Sequence, residues 1–593
     1  MQDELLGLQA QQDGRGPAAQ VDSDVLFRQG ETAAGEGTYT PRLVLWDLSG
    51  ALGGVSAGGS LYRDSSASSS GAVVSTWAGR QEVHQARPVS KSAFTAELEA
   101  EAEAEEWEEQ SGVDAAAAGP SPLEAAARQL DASGGGGLRY WTDYLKAHLH
   151  PRSVQQLAGA WHGLTPFGGW GDGSEHWRSE EQREQMMERI RFFAEECDSL
   201  QGFQVLADDL SGFGHLAAHV LQEVRDDYGS SLPVMLYALR PQAPLYAQPP
   251  AAAAAEAVPS EARRQRLNEG LSLALLTQQC STYTVVAPPA AASALPALRW
   301  QPGNAYHASG LCAAALDTAT LPYRLAAAGG PAGMIGRCDM WGLTHLLTAQ
   351  YHSPLAALSL ALPCPGLPAD AQRLAQQADA RLQHGMSSGS SGAATAAATA
   401  GAAAARPGSS SSGSSDSGAG PFTLRWLASL TPGIPAAGDT ARFAESVVLR
   451  GPRSTAAAPV ELGAAATALD AALAEERLLC VRQRTLTAQP LAVPLPFPHM
   501  FSQGLSKDGD LLPGAQLGSG GSQDIASCAA FIRLAATKAF APAVTAAARQ
   551  FRTAAGTAQG QATLEAWGMG REERAEAEEV LERLAHAYDD DEA

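Results

Sequence analysis

From Gln182 to Leu239 the chain alternates between helical and strand patterning, and this restricts its fold more than any other feature. Gln182–Cys197 predicts a helix, Phe203–Leu206 a strand, His215–Tyr228 a second helix and Pro233–Leu239 a second strand. Strands that alternate with helices pair in parallel through crossover connections. The expected class is therefore α/β, with a mostly parallel sheet flanked by helices. Upstream, Leu43-Val44-Leu45-Trp46 reads as a buried strand ending at Asp47. Far downstream, Ser446–Arg450 reads as a strand and Glu572–Tyr588 as a helix.

Composition divides the remainder. The chain's 593 residues exceed what one core requires, but 60 Gly, long Ala tracts and Ser/Gly runs reduce the part that can fold. The expected blocks are a patterned region at 1–64, a low-complexity insertion at 65–137, a patterned region at 138–385, a linker at 386–420 and a C-terminal region at 421–593. The insertion holds a Ser cluster, the acidic run Glu97–Glu109 and Gly134–Gly137. Both it and the Ser/Gly/Ala stretch from Met386 to Gly420 are expected to be irregular and open to proteases, because they offer little to bury. Pro249–Pro259 reads as a local Ala/Pro insertion, and the chain ends in the acidic tail Asp589–Glu592 before Ala593.

With 64 acidic against 41 basic side chains the formal charge is -23. Such a field repels phosphate backbones and anionic lipid heads, so nucleic acid is not an expected partner. The seven cysteines are odd in number, scattered, and never spaced C-x-x-C, which points to a reducing compartment. Asp3 and Glu4 give the start the wrong charge for a presequence, and apolar runs such as Leu355–Leu362 fall well short of the roughly 20 residues of a membrane helix.

The segment Asp208-Asp209-Leu210-Ser211-Gly212-Phe213-Gly214 joins the predicted strand at Phe203 to the helix ending Arg225-Asp226-Asp227-Tyr228. A glycine-containing turn into a helix presents backbone N–H groups that can cradle phosphate, although most such turns simply connect a strand to a helix. The flanks carry more. Cys197–Gln204 resembles the tubulin segment before its glycine-rich loop, and Tyr39–Leu48 is similar to tubulin's strand and nucleotide-facing loop. Leu267-Asn268-Glu269-Gly270-Leu271-Ser272 resembles the helix start where tubulins present an Asn to guanine. Leu321-Pro322-Tyr323-Arg324 resembles the stretch after tubulin's subunit-contact loop. The wording is closer still to the Misato family at Asp24–Arg28, Trp141–Leu145, His148–Ser153, Ala315–Thr318 and Phe443–Gly451. This resemblance covers about two thirds of the chain. It implies a tubulin/FtsZ-like fold and a vestigial nucleotide pocket at Gly212, Gly214, Asn268 and Asp47.

Departures from the tubulin pattern weaken that pocket. Leu210 and Phe213 stand where tubulins have glycine, and bulky residues do not adopt glycine's conformations. Asp209 would bring a carboxylate toward phosphate. Ser49 replaces a Glu near the nucleotide metal, and in an ungapped register Cys312 and Ala315 replace the contact-loop Asp and hydrolytic Glu. The opening strand and phosphate loop of tubulins are not found in this sequence, and Met1–Leu8 resembles the stretch just downstream of them in Misato. Hydrolysis is therefore not expected; no cofactor is, beyond residual GTP binding, and no metal. His148 and His150 lack suitably spaced partners for a metal, Gly518–Ser522 lacks the lysine of a P-loop, and Pro494–Pro498 reads as a connector.

The Misato resemblance implies a non-enzymatic factor in mitochondrial organisation, distribution, morphology and inheritance. It implies a cytoplasmic protein peripherally associated with the outer mitochondrial membrane, with protein partners at the mitochondrial surface or the cytoskeleton. Two other readings remain open: a tubulin-handling or cytoskeletal adaptor, and a filament-forming GTPase.

Overall fold

The structure is a computed structural model. It describes residues 21–31, 37–53, 89, 91–101, 122–132, 138–240, 260–326, 334–349, 353–367, 422–437, 440–474, 476, 480–512 and 521–588. The predicted features at 1–8, 249–259, 386–420, 518–520 and 589–592 lie outside those residues.

The chain opens with an antiparallel pair, β1 (Phe27–Glu31) and β2 (Gly37–Pro41). β3 (Leu45–Ser49) pairs in parallel with β4 (Val154–Trp161). Among the described residues between them lie the helices α1 (93–101) and α2 (Pro122–Ala132). Both fall in the segment expected to be irregular, and that expectation does not hold there. Leu123, Ala126, Ala127 and Leu130 recur at helical spacing and bury one stripe against Phe94 and Tyr306. The overall Ser, Ala and acidic composition hid this stripe.

Next come α3 (Ser174–Arg178), α4 (Glu180–Glu195), β5 (Phe203–Ala207), α5 (Gly212–Tyr228), β6 (Val234–Leu239), α6 (Ser260–Gln279) and β7 (Thr282–Val286). Strands β5, β6 and β7 form a parallel sheet, with Phe203 opposite Val234 and Met235 opposite Thr282. β6 is an unbroken apolar run, as befits a strand covered on both faces. Its Val234, Leu236 and Ala238 join a core with Leu267, Leu271 and Ala274 of α6, while Met235 and Tyr237 join a second core. The strand predicted at Phe203–Leu206 lies at the edge of this three-stranded sheet, and Leu206 is 55% exposed.

After β7 follow α7 (Ala305–Ala319), β8 (Met334–Ile335), α8 (Met340–Thr348), β9 (Ala357–Ala361), β10 (Ala428–Ser429), β11 (Arg442–Arg450), α9 (Leu462–Ala474) and β12 (Val481–Thr487). The short pairs β13 (Leu491–Ala492) with β16 (Ser527–Cys528), and β14 (Phe501–Ser502) with β15 (Ser522–Gln523), precede β17 (Ala530–Thr537). A six-stranded mixed sheet runs in the order β10-β9-β17-β11-β12-β8. It takes strands from both sides of residues 386–420, so the two blocks share one hydrogen-bonded sheet. Inside it, Glu445 is buried against Arg533 (3.2 Å) and Arg482, and Glu476, from the turn between α9 and β12, bonds Arg533 (2.9 Å) and Arg442 (2.7 Å). Buried charges persist only when paired in this way.

Three C-terminal helices close the molecule: α10 (Phe540–Gly556), α11 (Ala558–Ala566) and α12 (Arg571–His586). Phe551 and Leu581 are fully buried against the core that contains Leu267 and Leu271, which stacks α10 and α12 on α6.

Candidate functional site

Helix α5 begins where the sequence places the glycine turn. Ser211 is its N-cap, and its Oγ accepts from the Phe213 N–H at 3.2 Å. The Leu210 N–H donates to Asp208 Oδ1 at 3.1 Å, and the Gly214 N–H to the Ser211 carbonyl at 3.0 Å. The Gly212 N–H donates to the carbonyl of Phe167 at 3.0 Å. A helix N-terminus binds anions through unsatisfied N–H groups. At this one, the amides of Leu210, Gly212, Phe213 and Gly214 all have acceptors from the chain itself.

The acceptor at Gly212 belongs to the segment Phe167-Gly168-Gly169-Trp170-Gly171-Asp172-Gly173, which lies directly on the start of α5. The contact is backbone to backbone: a Cβ added at Gly173 would sit 2.2 Å from the Gly212 carbonyl oxygen. A Cβ at Gly214 would sit 2.8 Å from the buried Trp170 ring. Glycine at Gly212 and Gly214 is thus required by this close packing, whether or not a phosphate was ever cradled there. The Phe213 ring packs against that of Phe167 at a tilt of 60°, with centroids 4.7 Å apart.

Asn268, on α6, is 1% exposed. Its Nδ2 donates to the carbonyls of Gly168 (2.9 Å) and Leu210 (2.5 Å), and its Oδ1 accepts from the Trp170 N–H (3.0 Å). Both amide hydrogens and the carbonyl oxygen are therefore engaged by main-chain groups. The structure brings Gly212, Gly214 and Asn268 into one cluster around Phe167–Trp170. Asp47 is not part of that cluster. Its Oδ1 accepts from the Leu48 N–H (2.7 Å) and its Oδ2 from the Trp141 indole (3.0 Å).

Asp209 corrects an expectation. Its carboxylate does not face the helix start but turns inward, fully buried, and accepts from Arg240 at 2.9 and 2.6 Å and from the Tyr283 hydroxyl. Arg240 also lies 3.6 Å from Glu269. A buried carboxylate is stable only beside a counter-charge, and Arg240 at the end of β6 supplies it. Ser49 donates to the Leu157 carbonyl (2.9 Å), and Ala315 is packed in the hydrophobic core.

His215, in the first turn of α5, has its ring 6.0 Å from that of Trp170 and 4.4 Å from that of His219. Burial, with His219 and Arg178 nearby, pushes its pKa down to about 3, so it is neutral at physiological pH. The Phe167–Gly173 segment was not singled out from the sequence. Its signal was there: four glycines alternating with an aromatic and an acid mark backbone that approaches other backbone closely.

Residues 131–325, which contain the whole cluster, match the model of a tubulin domain. Residues 1–100 match the Misato Segment II tubulin-like domain. Protein misato homolog 1 of Bos taurus is 27% identical over 86% of this chain and 81% of its own length. Protein misato of Drosophila melanogaster is 28% identical over 86% of this chain and 82% of its own. The chain belongs to the Misato family. Protein misato homolog 1 of Homo sapiens is 29% identical over 55% of this chain, and that alignment spans 57% of the human protein. Family membership agrees with the tubulin-like α/β fold read from Cys197–Gln204, Tyr39–Leu48 and Leu267–Ser272. Among the described residues, no helix is long and apolar enough to cross a membrane.

Proposed function

We propose that this Misato-family chain is a non-enzymatic, tubulin-like factor in mitochondrial organisation, distribution, morphology and inheritance, acting through protein partners from the cytoplasmic side of the outer mitochondrial membrane. One observation carries the non-enzymatic part. The α5 amides and the Asn268 side chain, which would hold phosphate and base, are engaged by Phe167, Gly168, Trp170, Ser211 and neighbouring groups of the same chain. In this reading Gly212, Gly214, Asn268 and Asp47 are remnants of a nucleotide pocket closed by its own chain. Ser49 and Ala315 add to it, since neither positions a metal nor activates water. Losing a single electrostatic contact of this kind raises a barrier by roughly 3 kcal/mol, and several are missing at once. The mitochondrial part rests on the family resemblance.

The test is a phosphate-release assay on purified protein at saturating GTP. No turnover above background is expected. Sustained release that disappears in Asn268→Ala would overturn the reading and favour a filament-forming GTPase.

A further inference from the structure

The segment over α5 is gripped from two sides. On the inner side are Asn268 and the Gly212 N–H, both buried. On the outer side is Trp567, the C-cap residue of α11. Its indole lies flat on the segment's backbone: a Cβ at Gly171 would sit 2.2 Å from its Cγ and Cδ1, and one at Gly169 would sit 2.9 Å from its Cζ2. The same turn touches the end of α3, because a Cβ at Gly568 would meet Arg178 at 2.6 Å. Glycine loses more conformational freedom on ordering than any other residue. Phe167 and Trp170 anchor the segment through their buried rings, but Gly168, Gly169, Gly171 and Gly173 bring no side chain, so the backbone between and after the anchors depends on what presses on it. Trp567 is only partly buried, which makes it the grip that can be released from outside.

We propose that Trp567 is a latch. By lying on Gly169–Gly171 it keeps Phe167–Gly173 seated over the first turn of α5, and movement of the turn between α11 and α12 uncovers the Gly212 amide. A site near the C-terminus thereby controls access to the start of α5, about 350 residues earlier in the chain. A partner that binds α11–α12 reaches that site without touching it. The inference rests on the reading that this segment closes the pocket.

Hydrogen exchange on the full chain tests it, comparing wild type with Trp567→Ala and Trp567→Phe. In Trp567→Ala, exchange should quicken about tenfold in peptides covering 167–173 and 211–216, with peptides of α10 unchanged. Trp567→Phe, which keeps a ring on the glycines, should stay near wild type. Unchanged exchange in both peptides of Trp567→Ala overturns the latch, and so does acceleration at 167–173 without acceleration at 211–216. If Trp567→Ala loosens α10 as well, Gly171→Ala decides, because its added methyl displaces the ring and leaves the indole intact. It must quicken both peptides, and failure to do so overturns the proposal. GTP turnover by wild type refutes the non-enzymatic reading and leaves the latch standing, so the two fail separately.

Discussion

At the scale of single residues, Asn268 shows how far a side chain's partners can lie from its own stretch of sequence. Its place in Leu267–Ser272 marks it in the sequence, yet it contacts Gly168, Trp170 and Leu210, the first two about a hundred positions away. Local pattern gives no access to such partners, which depend on how α6 lies against Phe167–Gly173. Asp209 illustrates the same limit, since nothing near it in the sequence points to Arg240. Asn268→Ala should leave the part-buried Gly168 and Leu210 carbonyls and the buried Trp170 N–H without this partner, at about 1–3 kcal/mol for each group that water does not reach. A fall in the urea midpoint with an unchanged slope is the expected result; a midpoint within error of wild type rejects this account of its bonds. His215 gives a pH dependence. Its pKa falls from 6.5 to about 3 on folding, so below about pH 6.5 the unfolded chain takes up a proton that the folded chain refuses. Stability is therefore lost as pH drops from 6.5 towards 3. His219, His148 and His150 are also shifted downward by burial, so the loss is shared. In His215→Asn, melting temperature should fall less steeply with acid than in wild type. Equal slopes would contradict the shift.

At the scale of elements, periodicity was the readable signal. Helices at Glu180–Glu195, Gly212–Tyr228 and Arg571–His586, and strands at Phe203–Ala207 and Val234–Leu239, lie within a few residues of where pattern placed them. Each is long or strongly apolar, so its burial agrees with its local preference. Pairing was not readable. β9 and β17 are separated by more than 150 residues, and no local feature of either declares the other as its neighbour. The charges of β11 and β17 compound the difficulty, because Glu445 and Arg533 look like surface positions until their pairing buries both. Helices α1 and α2 were missed for the opposite reason: composition overruled a visible stripe. Their small core around Phe94 predicts local stability. Phe94→Ala removes a fully buried ring, a change that costs about 3–5 kcal/mol in a well-packed core. Proteolysis should then cut within 93–101 and Pro122–Ala132 while α10 and α12 stay protected. Equal cleavage of wild type and variant in those two helices would show that this core does not hold them.

At the scale of the whole molecule, the tubulin-like fold alone does not decide between mitochondria and microtubules, because fold is a poor guide to function. The two readings differ in the order of events after the protein is removed. If the mitochondrial role is direct, depletion should leave mitochondria fragmented, clustered or unevenly partitioned while the microtubule lattice still assembles. If the chain is a tubulin-handling adaptor, spindle or microtubule defects should come first and mitochondrial change should follow. Charge adds a biochemical arm to the same experiment. At -23 the chain is repelled by anionic lipid, so the proposed attachment to the outer membrane would run through a protein surface. Contacts between solvent-exposed charges weaken over the roughly 10 Å screening length of 0.1 M salt and more at higher salt. Washing mitochondria with salt or carbonate should therefore release the protein, and protease treatment of the mitochondrial surface beforehand should abolish rebinding. Rebinding to protein-free anionic vesicles would refute recruitment by a protein. A time course that scores both networks completes the test: intact mitochondria beside an early spindle defect would replace the mitochondrial reading with the adaptor.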